Sequence, residues 1–194
     1  MTLVPGQPRD DKEENVYLNT TVEDVTLDTD SRDWCSMHGG SSLVLGTAIH
    51  NGHEVRREMA GRMALPGDER LREEDPFTEY TIRDFPNRVV FHRSRFAVDL
   101  NRARDKAVYL SPEQSWGLEV WDEPPTDEMI EKSLTMHDHY YIMLKTLLRE
   151  LEEQFGRFVV FDIHSYNHRR DGPDEAPANP LEAPAINIGT RAIT

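Results

Sequence analysis

The chain has 194 residues, enough for one domain with a single buried core. It carries 36 acidic against 22 basic side chains, a formal net charge of -14, which argues against nucleic acid or an anionic membrane as the main partner, because phosphate groups attract basic surfaces. A single cysteine, Cys35, excludes an intramolecular disulfide framework, and no apolar run approaches the roughly 18 residues of a membrane span.

The first 33 residues are strongly acidic. They hold nine acidic and three basic side chains with little apolar periodicity, which predicts a mobile acidic arm, with a docking tail as the functional alternative. This segment lacks the basic-then-apolar layout of a signal peptide, and one cysteine is consistent with a reducing compartment. We therefore expect a soluble cytoplasmic protein whose folded domain covers residues 34–194.

Several short apolar segments are typical of strands. Residues 42–49 are apolar and partly β-branched, as in a strand that is buried on both faces. The intervening residues 55–75 are charged, and the pattern there predicts irregular structure with a turn at Pro66. Further strands are predicted at residues 88–92, 95–99, 158–163 and 185–189.

One long helix is predicted between Thr126 and Gly156. Thr126 is a suitable N-cap, acidic residues follow it in the first turn, and Gly156 is a natural stop. The apolar stripe has steps of three and four residues and consists of Ile130, Leu134, His137, Tyr141, Leu144, Leu148, Leu151 and Phe155. Strands separated by a helix or long loops predict an α/β fold with a mostly parallel or mixed sheet flanked by helices.

Two of the predicted strands run directly into a histidine. Residues 42–49 lead into His50, and residues 158–163 lead into His164. Ligands of open α/β sheets bind at the carboxyl ends of the strands, so these two imidazoles could share a metal ion. Zinc suits imidazole and carboxylate ligands in this arrangement. The alternative is that each histidine only caps its strand by bonding to the backbone.

The spacing leaves the third metal ligand open among His53, Glu54, Asp75 and Glu79. A second candidate group follows residues 95–99, where Arg102 could bind a substrate carboxylate through two parallel hydrogen bonds. The alternative for Arg102 is a surface ion pair with Asp105.

Four segments resemble, in this order, the N-formylglutamate amidohydrolase-like family. They are TAIHNG at 47–52, EDPFTE at 74–79, VDLNR at 98–102 and DIHS at 162–165, and the resemblance runs from about residue 42 to 190. It implies a zinc carboxypeptidase-like fold in which a metal-activated water attacks an amide. It further implies that His50 and His164 are zinc ligands and that Glu79 is the third ligand.

The same resemblance implies a substrate site. Asn101 and Arg102 match the family's carboxylate-binding pair. Arg93 or Arg95, a few residues upstream, is expected to neutralise a developing oxyanion, and Arg95 is assigned to the substrate site. His137 corresponds to a helix histidine of the family and is expected to be catalytic. The alternative is a core histidine that is hydrogen-bonded beneath the site.

The sequence departs from the family in two respects. His-Asn-Gly at 50–52 replaces the usual His-Ser-Gly, which indicates a divergent branch, and family members continue beyond the position of Thr194, where the expected general base lies. The resulting prediction is a zinc-dependent amidohydrolase that acts on a small N-acyl amino acid or a similar carboxylate-bearing amide. The alternative is a metal- or ligand-binding protein of the same fold without catalysis.

Overall fold

The computed structural model describes residues 34–169 and 172–189, so the predicted arm at 1–33 lies outside the described residues. A four-stranded mixed sheet organises this part of the chain. Its strands are β1 (Cys35–His38), β2 (Val44–Ala48), β3 (Asn87–Phe91) and β4 (Val159–Asp162). They lie in the order β1-β3-β2-β4. β2 is parallel to both β3 and β4, and β1 is antiparallel to β3.

The predicted α/β class is confirmed, and three of the predicted strands form. They are β2, β3 and β4, and four of the five residues of β2 are buried, as its run of small and apolar side chains predicts. Strand β1 was not predicted from the sequence. Two of its residues are exposed and two are partly buried, and four residues are too few for the alternation of Cys35, Ser36, Met37 and His38 to indicate a strand.

Two strand predictions are wrong. Residues 95–99 form a turn instead, because the carbonyl oxygen of Ser94 accepts the backbone N–H groups of Ala97 and Val98 at 2.9 and 3.2 Å. Phe96 and Val98 consequently enter two different apolar clusters. Residues 185–189 are not a strand either: Ile186 and Ile188 are exposed, so no packed face holds the segment extended.

Three short helices lie between β2 and β3. They are α1 (Arg57–Ala60), α2 (Gly67–Glu73) and α3 (Thr78–Ile82). The first two fall within residues 55–75, which were predicted to be irregular. The predicted turn at Pro66 is the N-cap of α2. Each helix is too short to show an amphipathic period in the sequence.

The long helix α4 (Asp127–Phe155) has the predicted ends. The Thr126 side chain accepts the N–H of Met129, and Gly156 ends the helix with φ 69°. Part of the buried face differs from the predicted stripe, since Tyr140 and Leu147 are buried where Tyr141 and Leu148 were expected. The side chains of Tyr140 and Leu147 pack with Leu45, Val89 and Phe91 of the sheet in the main core. No helix of the described residues is long and apolar enough to cross a membrane.

Candidate metal and substrate site

The two histidines that were predicted at strand ends lie side by side. β2 and β4 are adjacent and parallel, with Thr47 opposite Asp162, so both strands continue into their histidines at the same edge of the sheet. The ring centroids of His50 and His164 are 5.0 Å apart. The sheet topology therefore brings together the pair on which the metal hypothesis depends.

Asp75 reaches the same point from the loop between α2 and α3. Its backbone N–H donates to the carbonyl oxygen of His50 at 3.0 Å, which holds this loop against the end of β2. Its Oδ2 lies 2.9 Å from Nδ1 of His164 and 3.4 Å from Nδ1 of His50. One potential ligand atom from each of the three residues lies within 4.8 Å of the others.

The structure brings Asp75, and not Glu79, to the two histidines. Glu79 lies at the start of α3, where its backbone N–H donates to the Asn51 side chain at 3.1 Å, and it is not part of the converging group. His53 and Glu54 are engaged elsewhere, since His53 bonds to a buried glutamate and Glu54 pairs with an arginine. Asp75, one of the four residues that the spacing allowed, is thus the carboxylate that lies next to both histidines.

The hydrogen bonds around the histidines fit a cation. Nε2 of His50 lies 2.6 Å from the Asp99 carboxylate, and an ionised carboxylate only accepts, so this nitrogen carries the proton. Nδ1 of His50 is then an acceptor that faces the Asp75 carboxylate; it is buried and has no hydrogen-bond partner. Nε2 of His164 is similarly bound to Asp162 at 3.0 Å. Carboxylates that hold the far nitrogens of metal-binding histidines are a common feature of metal sites.

The site also perturbs the pKa values of its members. Burial raises the pKa of Asp75, but the hydrogen bond from His164 and the nearby ring of His50 outweigh this and bring it to about 2. Hydrogen bonds to Asp162 and Asp75 raise the pKa of His164 to about 9. At neutral pH a proton on His164 therefore balances part of the carboxylate charge, and a metal ion would replace that proton.

Asp99 connects this group to the residues that were predicted to bind substrate. The buried carboxylate accepts hydrogen bonds from His50, from the Tyr109 hydroxyl, from Arg95 at 3.0 Å and from the backbone N–H of Asn101 at 2.8 Å. Burial alone would raise its pKa, yet the His50 hydrogen bond and the nearby positive charges hold it well below the usual range. Asp99 thus orients His50 and the adjacent arginines together.

The predicted substrate residues lie beside Asp99 with different exposures. The Arg102 side chain is 39% exposed, and its Nε is 3.7 Å from the Asp99 carboxylate rather than paired with Asp105. Arg95 is largely buried, with a side chain 12% exposed, and is hydrogen-bonded to the same carboxylate. Asn101 is exposed. Arg102 is therefore the more accessible of the two guanidinium groups.

His137 lies in α4, behind the turn that carries Arg102. It is buried, and its Nε2 is 3.0 Å from the carbonyl oxygen of Arg102. One turn along the helix, the Tyr141 hydroxyl donates to the Leu100 carbonyl at 2.5 Å. These two contacts hold residues 100–102 against α4. They also explain why Tyr141 is not buried in the core as its place in the apolar stripe predicted.

A cleft reaches Asp75 of the metal candidate. Its lining also includes Arg95 and Trp116, and Tyr166 and Asn167 from the segment after β4. Three residues of this region were given no role from the sequence: Asp99, Tyr109 and Trp116. Asp162 had a signal, because it lies two residues before His164 and both are therefore on the same side of an extended segment.

Comparison with known proteins identifies one relationship. The model of the family described as N-formylglutamate amidohydrolase matches residues 42–194. No curated protein and no solved structure was found to match the chain.

Proposed function

The chain belongs to the N-formylglutamate amidohydrolase family, and on that premise we propose that it hydrolyses the amide bond of a small N-acyl amino acid at a zinc ion held by His50, Asp75 and His164. One observation carries the proposal. The ligand atoms of these residues converge within 4.8 Å, while the far nitrogen of each histidine is held by its own carboxylate. Two imidazoles and a carboxylate are a ligand set that zinc favours in hydrolytic sites.

Zinc, when bound, polarises the substrate carbonyl and brings the pKa of water close to neutrality, to about 7. The protein's own contribution begins with the two outer carboxylates. Asp99 accepts the Nε2–H of His50, and Asp162 accepts that of His164, so both rings are held with Nδ1 toward Asp75, where these three residues would hold the metal. Asp162 is itself fixed by the Thr47 hydroxyl at 2.6 Å.

The arginines orient the substrate. Arg102 is accessible and lies on the turn next to Asp99, which suits it to bind the substrate carboxylate with two parallel hydrogen bonds. Arg95 remains bonded to Asp99 and contributes positive charge to the wall of the cleft. His137 acts as a positioning residue, because its Nε2 is occupied by the Arg102 carbonyl group.

We expect the zinc-loaded protein to hydrolyse N-formyl amino acids, and the Arg102→Lys variant to do so poorly. Lysine keeps the charge but cannot form the bidentate contact. Loss of a charge-assisted hydrogen bond costs about 1.5 to 3 kcal/mol, which corresponds to roughly a 10- to 150-fold lower kcat/KM. The measurement compares each N-formyl amino acid with its carboxamide, and only the free carboxylate should show the loss.

Chelator-treated protein is the control for the same assay, and its rate should fall to background and return with zinc. Equal losses on both substrates would mean that Arg102 does not bind the carboxylate. Stoichiometric zinc without hydrolysis of any N-acyl amino acid would instead identify a metal-binding protein of this fold.

Zinc affinity should rise with pH. Because the folded pKa of His164 is about 9, above the ordinary value of 6.5, its proton stabilises the zinc-free fold below about pH 6.5, and this stabilisation is lost as the pH rises through 9. Zinc must displace that proton. Calorimetry between pH 6 and 8 should therefore show affinity rising about tenfold per pH unit, with about one proton released per zinc.

The matched variant for this titration is Asp162→Asn, which removes the carboxylate that is hydrogen-bonded to Nε2 of His164. It should lower the pKa of His164 and reduce the number of protons released at pH 7. If zinc binds the wild-type chain without proton release in buffers of different ionisation enthalpy, His164 is not the ligand that binding deprotonates.

A further inference from the structure

Trp116 has an unusual backbone conformation at the edge of the cleft. Its φ is 57°, in the left-handed region that glycine and asparagine adopt readily and bulky side chains rarely do. More than half of the residue, 55%, is exposed. A large apolar side chain thus occupies a disfavoured conformation without being buried in the core. Residues held in this way tend to cluster at functional sites.

The loop around Trp116 is well fixed. The buried Ser115 side chain donates to the carbonyl oxygen of Leu118 at 2.9 Å, and the N–H of Gly117 donates to that of Pro112 at 2.7 Å. The indole packs against Arg95, whose guanidinium carbon is 4.7 Å from the ring centroid. It also contacts Tyr109 edge-to-face, with the ring centroids 5.7 Å apart. Its exposure is therefore a property of an ordered loop.

The indole faces the same cleft as the metal candidate. Asp75, Arg95, Trp116 and Leu118 all line it. The guanidinium carbon of Arg102 is 6.0 Å from the Trp116 ring centroid. The accessible guanidinium of Arg102 thus lies next to a flat apolar surface, and that surface lines the same cleft as Asp75.

We propose that Trp116 determines the side-chain specificity of this site and that the ligand is an N-acyl amino acid with an aromatic side chain. The ligand ring stacks on the exposed part of the indole, in the offset or edge-to-face geometry that aromatic pairs prefer. Its carboxylate binds Arg102, and its amide lies toward Asp75. This assignment rests on the proposed function, because it uses the same cleft and the same carboxylate contact.

The test measures binding to the zinc-loaded 194-residue chain without turnover. The probes are N-methanesulfonyl-L-phenylalanine and N-methanesulfonyl-L-alanine, whose sulfonamide bonds resist hydrolysis. We expect calorimetry to show the phenylalanine probe binding about tenfold more tightly, as stacking and burial of one ring predict. The Trp116→Asn variant should reduce this ratio to about one, while its Tm stays within about 3 °C of wild type, because asparagine tolerates the left-handed conformation.

The matched control is Tyr80→Asn, which removes an exposed aromatic side chain that does not line the cleft. It should leave the ratio at about ten. A ratio near one in the wild-type chain, or an equal ratio in wild type and Trp116→Asn, would overturn the assignment. Hydrolysis is measured separately, so a preserved ratio without turnover would overturn the proposed function and leave the specificity of the cleft established.

Discussion

Alanine at His50, Asp75 or His164 should abolish stoichiometric zinc binding, whereas alanine at Glu79 should preserve it. Each of the first three removes one of the converging ligand atoms, and a zinc site that keeps two protein ligands loses most of its affinity. We expect affinity to fall by at least about 100-fold, since even residues behind the ligands are worth about 10- to 100-fold. Metal analysis of the purified variants, followed by competition with a chelator, measures the effect.

Glu79→Ala is the matched control, because it removes a carboxylate from the neighbouring helix without touching the converging group. His50 is buried against Asp99, so its variant needs a check of folding by circular dichroism. His164, whose side chain is one-third exposed, gives the cleaner test. Zinc retained by His164→Ala at the wild-type level, or lost in Glu79→Ala but not in Asp75→Ala, would contradict this ligand set.

Gly52→Ala should destabilise the fold severely. A β-carbon at Gly52 would lie 2.0 Å from the carbonyl carbon of His92 and 2.5 Å from the backbone nitrogen of Arg93. Those are main-chain atoms that cannot rotate away, and the chain here is also paired through the N–H of Glu54, which donates to the His92 carbonyl at 3.2 Å. We expect a loss of about 3 kcal/mol or more in the free energy of unfolding, measured with urea.

The matched substitution is Gly61→Ala at the end of α1. There the nearest atom to a new β-carbon is 3.7 Å away, and φ is -70°, which suits any residue. Its effect should be neutral or stabilising by about 0.4 to 1 kcal/mol. If both variants unfold at the same urea concentration as wild type, the contact between residue 52 and the His92 backbone is not close.

The convergence of His50 and His164 was predictable because parallel strands end at the same edge of the sheet. Each histidine directly follows an apolar strand in the sequence. Because β2 and β4 are parallel neighbours, both strands end at the same edge and bring His50 and His164 together. Asp75 follows no strand. It reaches the site through a loop whose position depends on the carbonyl oxygen of His50, and no spacing in the sequence records that contact.

The predicted strand at 95–99 failed for a related reason. Alternating apolar residues indicate that Phe96 and Val98 are buried, and both are, but the alternation does not reveal that they enter different clusters. A turn at Ser94 satisfies the pattern equally well and places Asp99 inside the site. Burial was therefore readable from the sequence at these positions, and backbone direction was not.

Asp99 contacts both halves of the candidate site. Its Oδ1 accepts from His50, and its Oδ2 lies near Arg95 and Arg102. Under the proposed function, a metal ion on His50 would make that ring a stronger donor and draw the carboxylate toward it, which would weaken the hold of Asp99 on Arg102 and leave the guanidinium freer to bind an anion. By reciprocity, an anion on Arg102 would tighten metal binding by the same factor. A single buried carboxylate would thus couple the binding of two different ligands.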